Sequence, residues 1–279
     1  MTDSGMSAAA LRVVAAGWGT TVQDHGRRGM AHLGVPSAGA VDREAHDRSN
    51  RLVGNPPGAA TIETRGGLVI EALRPVIAAT SADGQRHTLQ SGDTIRIDPA
   101  DGQMWAYLAL RGGIETEQVL GSRSTDTLSG LGPAPLADGD AVDVGRDPGT
   151  DLVAEQAPVR APEPTVRLWA APRAMWFRGG RDALVSRRWL VSSDVSRVGV
   201  RLSPGVFERD PEAPSEMASE GLIAGAVQIT PAGEPIVMLA DHPTTGGYPV
   251  IGVVDPLDLP IVAQAVPGTT IRFMAAGPG

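Results

Sequence analysis

Glycine and proline are spread along the whole chain, with 35 glycines and 23 prolines among 279 residues. Glycine favours turns and proline disrupts helix interiors, so long helices have little room to form. Between these residues the chain has short apolar or alternating runs, the pattern of strands separated by turns. The runs cover residues 11–16, 68–70, 76–79, 94–97, 105–110, 141–144, 165–169, 226–229, 236–239, 250–254 and 270–273. The sequence therefore predicts a mainly β fold, built as a sandwich or a barrel.

Two segments have the boundary signals of short helices instead. Residues 41–52 follow a candidate cap at Asp42 or Ser37 and end before Gly54. Residues 257–265 have Asp258 near their start and Gly268 after their end. Polar caps before a helix and glycine or proline after it are typical boundaries, so we predict helices in both places.

A polar, proline-rich segment at residues 151–164 has the composition of a linker and separates residues 1–150 from residues 165–279. Short motifs recur in the same order on both sides. Asp24-x-x-Arg27-x-Gly29 returns as Asp194-x-x-Arg197-x-Gly199, for example. The ordered matches predict a duplication, with two β domains related by a pseudo-twofold axis. A motif present in both halves is interpreted as an Asp–Arg pair that holds the fold across a turn.

Charge and composition exclude several classes of partner and chemistry. The formal net charge of -8 does not attract nucleic acid or anionic membranes, so a small molecule or another protein is the expected partner. All 24 basic residues are arginine, which excludes a Schiff-base lysine, a phosphate-binding Walker lysine and covalent biotin on this chain. The absence of cysteine excludes disulfides and thiolate metal sites.

The beginning of the sequence has no secretory pattern. Asp3 precedes a short apolar run that Arg12 interrupts, so the basic start and long apolar centre of a signal peptide are missing. No run approaches the roughly 20 apolar residues that a membrane-spanning helix needs. The sequence predicts a cytoplasmic protein.

Residues 20–42 place polar side chains on a glycine-rich loop directly after an apolar run. The candidate site residues in this loop are Gln23, Asp24, Arg27 and Ser37. A glycine-rich backbone can approach a ligand closely, and polar loop residues held by a strand are typical of binding sites. The alternative is a structural turn in which Asp24 and Arg27 satisfy main-chain groups.

Two further loops carry candidate binding residues. Residues 121–125 combine the guanidinium of Arg123 with the hydroxyls of Ser124 and Thr125, a cradle for a carboxylate or phosphate. Residues 241–248 begin at Asp241, and their glycine pair can turn main-chain N–H groups toward an oxyanion. The ligand-facing candidates there are Thr244, Thr245, Gly246, Gly247 and Tyr248. For both loops the alternative is a turn with incidental polar residues.

Other chemistry has no signal in the sequence. The five histidines, His25, His32, His46, His87 and His242, show no short metal-ligand spacing, so no metal site is predicted. A Gly-x-Ser-x-Gly elbow, a Walker phosphate loop and a dinucleotide fingerprint are all missing. The residues alone thus predict a duplicated β protein whose arginine- and glycine-lined loops suit an anionic or amide-like ligand.

Five ordered motifs resemble those of a known family and span nearly the whole chain. They are Thr20-Thr-Val-Gln-Asp-x-Gly-Arg-x-Gly29, Gly34-Val-Pro-Ser-x-Gly-Ala-x-Asp42, Gly121-Ser-Arg-Ser-Thr125, Ser219-Glu-Gly221 and Asp241-x-x-Thr-Thr-Gly-Gly-Tyr-Pro249. The family that they resemble is allophanate hydrolase subunit 2, also called KipA-like or the C subunit of 5-oxoprolinase. It is similar to part of the urea carboxylase carboxyltransferase domain.

The resemblance implies two cyclophilin-like β-barrel halves with a few short helices. It also implies a KipI-like partner (allophanate hydrolase subunit 1, or the B subunit of 5-oxoprolinase) and a LamB/YcsF-like third subunit. Together such proteins look like enzymes that hydrolyse 5-oxoproline to glutamate with ATP, which the partner binds or shares. In that setting we predict catalytic roles for Asp24, Arg27 and Asp241, and substrate contacts from the other candidate loop residues.

Two alternative functions follow from the same resemblance. One is a regulator that binds a KipI-like kinase inhibitor without doing chemistry. The other is a biotin-dependent carboxyltransferase subunit of urea-carboxylase type. Because this chain has no lysine, its biotin would arrive on another polypeptide.

Overall fold

The computed structural model describes residues 9–152, 154 and 164–277, and the chain divides into two compact units. The first comprises Met1–Gly26, Arg43–Thr125 and Gly130–Pro158, and the second Arg27–Asp42, Asp126–Ser129 and Val159–Gly279. In this division Arg27–Asp42 and Asp126–Ser129 group with the C-terminal part of the chain, and the domain boundaries expected from the sequence stay a prediction. Asp3 and most of the expected linker at residues 151–164 lie outside the described residues.

The first unit consists of two antiparallel sheets and one helix. Its elements are β1 (Leu11–Ala15), β2 (Thr21–Gln23), α1 (Arg43–Leu52), β3 (Thr61–Thr64), β4 (Leu68–Ala72), β5 (Val76–Thr80), β6 (Arg86–Leu89), β7 (Thr94–Ile97), β8 (Ala106–Leu110), β9 (Ile114–Glu115) and β10 (Ala141–Val144). One five-stranded sheet has the order β7-β4-β1-β10-β9, and the other has the order β2-β3-β8-β5-β6. Buried residues from both sheets, including Leu11, Ile70, Ile62 and Leu108, form one apolar cluster.

Helix α1 packs on the second of these sheets. Glu44 in its first turn and Arg51 in its last turn both complement the helix dipole. Gly54, with a left-handed φ of 74°, ends the helix and donates its N–H to the Arg51 carbonyl. The helix buries His46 as well as Leu52, so its inner face is partly polar.

The second unit contains a closed seven-stranded barrel with the order β11-β18-β15-β16-β13-β12-β19. Its elements are β11 (Thr165–Ala170), α2 (Gly180–Val185), β12 (Arg188–Val195), β13 (Gly199–Ser203), β14 (Glu220–Gly221), β15 (Ala226–Ile229), β16 (Pro235–Met238), β17 (Thr245–Gly246), β18 (Val250–Val254), α3 (Leu259–Ala263) and β19 (Thr270–Ala275). The parallel pairing of β11 with β19 closes the barrel, and its other strand pairs are antiparallel. Two 3-10 helices, Ala31–Leu33 and Pro172–Trp176, also belong to this unit.

The mainly β class predicted from the sequence is confirmed, and each predicted strand run corresponds to a strand. The predicted helix at residues 41–52 is α1, and the one at 257–265 is the shorter α3. The barrel is found in the second unit, whereas the strands described in the first unit form two sheets. No helix among the described residues is long and apolar enough to cross a membrane.

The proposed duplication stays a prediction. A second recurring motif is Gly92-x-Thr-Ile-Arg96, which returns as Gly268-x-Thr-Ile-Arg272. Its glycines both have a left-handed φ, of 89° and 88°, and both precede a strand. Those strands have different neighbours, because β7 pairs with β4 whereas β19 lies between β11 and β12. In the second copy of the Asp-x-x-Arg-x-Gly motif, Arg197 pairs with Asp241 and Asp194 pairs with Arg201, so both ion pairs reach outside the motif.

Candidate functional site

The loop Arg27–Asp42 folds back on itself within the second unit. The Arg27 N–H donates to the Ser37 carbonyl at 2.6 Å and joins the two sides of the loop. Gly34 ends the 3-10 helix Ala31–Leu33 with a φ of 75°, and a Cβ there would meet no atom within 4 Å. Glycine is needed at this position for its backbone conformation rather than for space.

Asp241 anchors the loop that follows β16. Its carboxylate receives Nε and Nη2 of Arg197, both at 2.8 Å, in a bidentate pair. The main-chain N–H and the hydroxyl of Thr127 also donate to it, at 2.9 Å and 2.6 Å. Arg197 in turn donates to the Gly39 carbonyl at 2.7 Å. Because Asp241 is fully buried and holds several donors, its geometry favours a structural role over the predicted catalytic one.

The two loops meet in a cleft of about 230 Å³, which we call the His242 cleft. Arg27 and Ser37 line it from one loop, and His242 and Thr244 line it from the other. Its apolar side includes Leu222. Three residues that the sequence singled out, Arg27, Ser37 and Thr244, therefore lie around one cleft.

A larger cleft of about 410 Å³ lies beside the end of the same loop, and we call it the Arg209 cleft. The predicted residues Gly247 and Tyr248 line it together with Arg209, and Gln228 holds Tyr248 by donating to its carbonyl at 2.9 Å. The ring of Phe207 forms part of the apolar wall. That ring is fixed by stacking on Trp189, with the centroids 5.7 Å apart, and by the edge of Phe177.

Arg209 brings a positive charge to this cleft, which Glu216 also lines. Its Nη1 donates to the Ser215 carbonyl at 3.2 Å, and its Cζ lies 5.1 Å from the ring centroid of Trp176. Its Nε and Nη2 are buried and have no hydrogen-bond partner in the described part of the chain, and no carboxylate there pairs with it. Buried donors without an acceptor are costly, and a guanidinium fits the two oxygens of a carboxylate. Arg209 is therefore suited to hold a small anion.

Thr245 and Gly246 are the two remaining candidate residues of the loop 241–248. They form β17, which pairs with β14. A Cβ on Gly246 would lie 2.6 Å from a Leu222 methyl group and 2.8 Å from the Gln228 amide nitrogen. Gly246 is thus required for close packing, whereas Gly247 borders the Arg209 cleft with open space around its Cα.

The other predicted site residues lie in the first unit around the carboxylate of Asp24. It accepts the hydroxyls of Ser122 and Ser124 at 2.6 Å, and the N–H groups of Arg123 and Gly26 at 2.7 Å. Burial raises the pKa of Asp24, but these four hydrogen bonds outweigh it and hold the pKa below its ordinary value. Asp24 is therefore a charged anchor for residues 122–124.

Side-chain contacts also occupy the neighbours of Asp24. The guanidinium of Arg123 donates to the Thr116 carbonyl at 3.0 Å and to the carboxylate of Glu115. Thr125 donates to the Pro133 carbonyl at 2.9 Å, and the amide of Gln23 donates to the Thr125 carbonyl at 2.9 Å. These contacts give Gln23, Arg123, Ser124 and Thr125 a place in the fold, and their predicted role in substrate binding stays a prediction.

Sequence reasoning missed Arg209, which stands in none of the recognised motifs. The local signal was the aromatic residue Phe207, two positions before it. Arg209 and Tyr248 are far apart in the sequence, so the sequence alone does not show that they line the same cleft.

These features define a mainly β protein with a closed barrel in its second unit. The chain belongs to the carboxyltransferase domain family (subdomains A and B), whose model matches residues 33–275. Among characterised relatives it is similar to the 5-oxoprolinase C subunit of Escherichia coli (strain K12). The two sequences are 33% identical over an alignment of 282 positions, gaps included, and the alignment covers 95% of this chain and 90% of the relative.

Solved structures show the same relationship. The crystal structure of TTHA0988 superposes with a TM-score of 0.83 at 33% identity, covering 96% of this chain and 55% of that one. The urea carboxylase of Kluyveromyces lactis gives a TM-score of 0.87 at 25% identity, covering 99% of this chain and 28% of that one. This chain thus spans about half the length of TTHA0988 and a smaller part of the carboxylase.

Proposed function

We propose that the chain is one component of a heteromeric, ATP-dependent amidohydrolase of the 5-oxoprolinase type. The supporting observation is its similarity to the 5-oxoprolinase C subunit along 90% of that protein's length. The proposed partners are a KipI-like subunit, which binds or shares the ATP, and a LamB/YcsF-like subunit. The chain itself carries no lysine with which to hold the nucleotide phosphates.

The Arg209 cleft is the proposed binding site for the carboxylate of a small lactam. Arg209 supplies the positive charge, and the hydroxyls of Thr230 and Tyr248 line the same space. A lactam is a poor electrophile, and ATP makes its oxygen a good leaving group by phosphorylation. Gly247 lines the cleft, and main-chain N–H donors at such a position can stabilise a developing negative charge.

The test of this function is co-expression of the chain with the two proposed partners. The purified complex should form glutamate from 5-oxoproline, with consumption of ATP. Absence of glutamate formation by an intact complex would reject the 5-oxoprolinase assignment.

The role of Arg209 is tested separately in that complex. Loss of a charged hydrogen bond of about 1.5–3 kcal/mol should raise the KM for 5-oxoproline roughly 10- to 100-fold in Arg209→Gln. The matched control is Arg178→Gln, because the Arg178 side chain is 70% exposed. A lactam without the carboxylate, 2-pyrrolidinone, should show no such difference between Arg209→Gln and the parent. An unchanged KM for 5-oxoproline would reject Arg209 while leaving the reaction assignment intact.

A carboxyltransferase of urea-carboxylase type is the second candidate. The observation in its favour is the TM-score of 0.87 against Kluyveromyces lactis urea carboxylase. In this function biotin is carried by another polypeptide. Transfer of labelled carboxylate from a biotinylated carrier to urea, without glutamate formation from 5-oxoproline, would favour this candidate over the first.

A further inference from the structure

A compact cluster of His25, His46 and Asp47 lies in the first unit, next to Gln23. His25 Nε2 is 2.6 Å from Asp47 Oδ1, and His46 Nδ1 is 2.8 Å from the same oxygen. The three potential ligand atoms lie within 4.8 Å of one another. Sequence reasoning found no metal spacing because His25 precedes helix α1 by a long loop and only the fold brings the histidines together.

The surroundings of His46 match those of a metal-binding histidine. Its side chain is fully buried, and its Nε2 is 3.2 Å from the Gln23 carbonyl, which can accept a proton from that nitrogen. Metal-bound histidines commonly donate their second ring N–H to a carbonyl in this way, which directs the other nitrogen at the metal. Here the other nitrogen, Nδ1, faces a carboxylate oxygen. In the tautomer whose N–H is on Nε2, the lone pair of Nδ1 is directed toward Asp47, where a metal ion would bind.

The other two groups are also placed to bind. The His25 side chain is 37% exposed, which leaves an open side for entry of an ion and for water. A Cβ on Gly58 would lie 3.2 Å from His25 Nδ1, so the glycine makes room for the ring. Asp47 Oδ1 faces both imidazoles and supplies the carboxylate oxygen of the set.

We propose that His25, His46 and Asp47 bind a divalent first-row cation of the zinc class. Two imidazole nitrogens and one carboxylate oxygen are a common three-ligand set for such ions, with the remaining position open to water. Ligand atoms around a tetrahedral ion at about 2.0–2.1 Å from it are roughly 3.3 Å apart. In the metal-bound site the Asp47 oxygen would therefore lie about 0.7 Å farther from His25 Nε2 and about 0.5 Å farther from His46 Nδ1 than it does here. This site is independent of the function proposed above.

The test is binding of Zn²⁺ and Co²⁺ to the full chain, purified without a histidine tag. Calorimetry should give one equivalent of Zn²⁺ with release of protons, and Co²⁺ should give visible absorption bands of a low-symmetry site. The variant His25→Ala should weaken binding by more than the 10- to 100-fold typical for loss of an outer-shell partner. It should still fold, because His25 is partly exposed.

His87→Ala is the matched control. His87 also pairs with one carboxylate, Asp83 at 2.8 Å, and is similarly accessible, but it lacks a second histidine. Its removal should leave binding unchanged. Absence of stoichiometric binding by the parent chain would overturn the proposal and identify the cluster as a shared-proton network. Equal affinities of His25→Ala and His87→Ala would overturn it as well.

Discussion

Replacing Asp241 with alanine should destabilise the second unit by about 3–5 kcal/mol, the usual result of removing one partner from a buried ion pair. Asp241 is 0% exposed and Arg197 only 3%, so water cannot replace the lost carboxylate around the guanidinium. The substitution leaves Arg197 and the two Thr127 donors without this acceptor. Most of the loss is the cost of a buried, uncompensated charge rather than the strength of the hydrogen bonds.

Asp194→Ala supplies the comparison. Asp194 binds Arg201 at 2.9 Å, but its side chain is 66% exposed, so we expect a loss of about 0–1 kcal/mol. The double substitution Asp241→Leu with Arg197→Met removes both charges and should recover much of the stability lost in Asp241→Ala. The contrast separates burial of the charge from the presence of an ion pair.

Urea unfolding, followed by tryptophan fluorescence and far-UV circular dichroism, measures the effect. With a denaturant slope of about 2–3 kcal/mol per molar, the Asp241→Ala midpoint should fall by roughly 1–2 M. A midpoint shift no larger than that of Asp194→Ala would refute the structural interpretation. If the variant kept its stability yet the complex lost turnover, the catalytic role predicted from the sequence would be favoured instead.

Two further substitutions test other anchors of the first unit. Asp24→Asn should lower the free energy of unfolding at neutral pH, because the folded state lowers the pKa of Asp24 and so favours its charged form. This stabilisation is present above the ordinary pKa of 3.8 and is lost as the pH falls through the pKa of the folded state. The difference in unfolding free energy between the parent and Asp24→Asn should therefore narrow below about pH 4, and a constant difference would contradict it. Gly17→Ala should lower the free energy of unfolding by well over the roughly 1 kcal/mol expected for Gly102→Ala. A Cβ at Gly17 would lie 2.3 Å from the Gly66 carbonyl oxygen, whereas a Cβ at Gly102 would meet no atom within 4 Å. Both glycines have a similar left-handed φ, of 69° and 72°, so equal thermal unfolding temperatures for the two variants would refute the steric argument.

Much of the strand pattern was predictable because apolar runs between turn signals are local features. Strands β7, β10, β15 and β18 have the predicted bounds. Strand β3 was missed because its inner positions include polar side chains, among them Glu63, which accepts the Tyr107 hydroxyl at 2.7 Å. Periodicity cannot show that a partner far along the chain satisfies such a group. Strand β12 was missed for a related reason, since its C-terminal half includes exposed serine and aspartate.

The candidate loops were easier to find than the roles of their residues. Glycine and polar residues after a strand marked the loops that line the His242 cleft, and the structure places Arg27 and Thr244 there. The sequence could not show that Arg123 is already held by Glu115, or that Arg209 reaches the cleft beside Tyr248. Those facts depend on contacts between segments far apart in the chain.

The arginines of this lysine-free chain illustrate why a motif can mark the fold more clearly than the binding group. Arg197 lies in a repeated motif, and its Nε and Nη2 donate to Asp241 and Gly39. Arg123 is in a family motif and donates to protein oxygens as well. Arg209 lies outside every motif, and two of its buried donors lack an acceptor in the described part of the chain. Because an incoming anion gains most where the protein has not already supplied the counter-charge, Arg209 is the arginine at which substitution should affect binding more than folding.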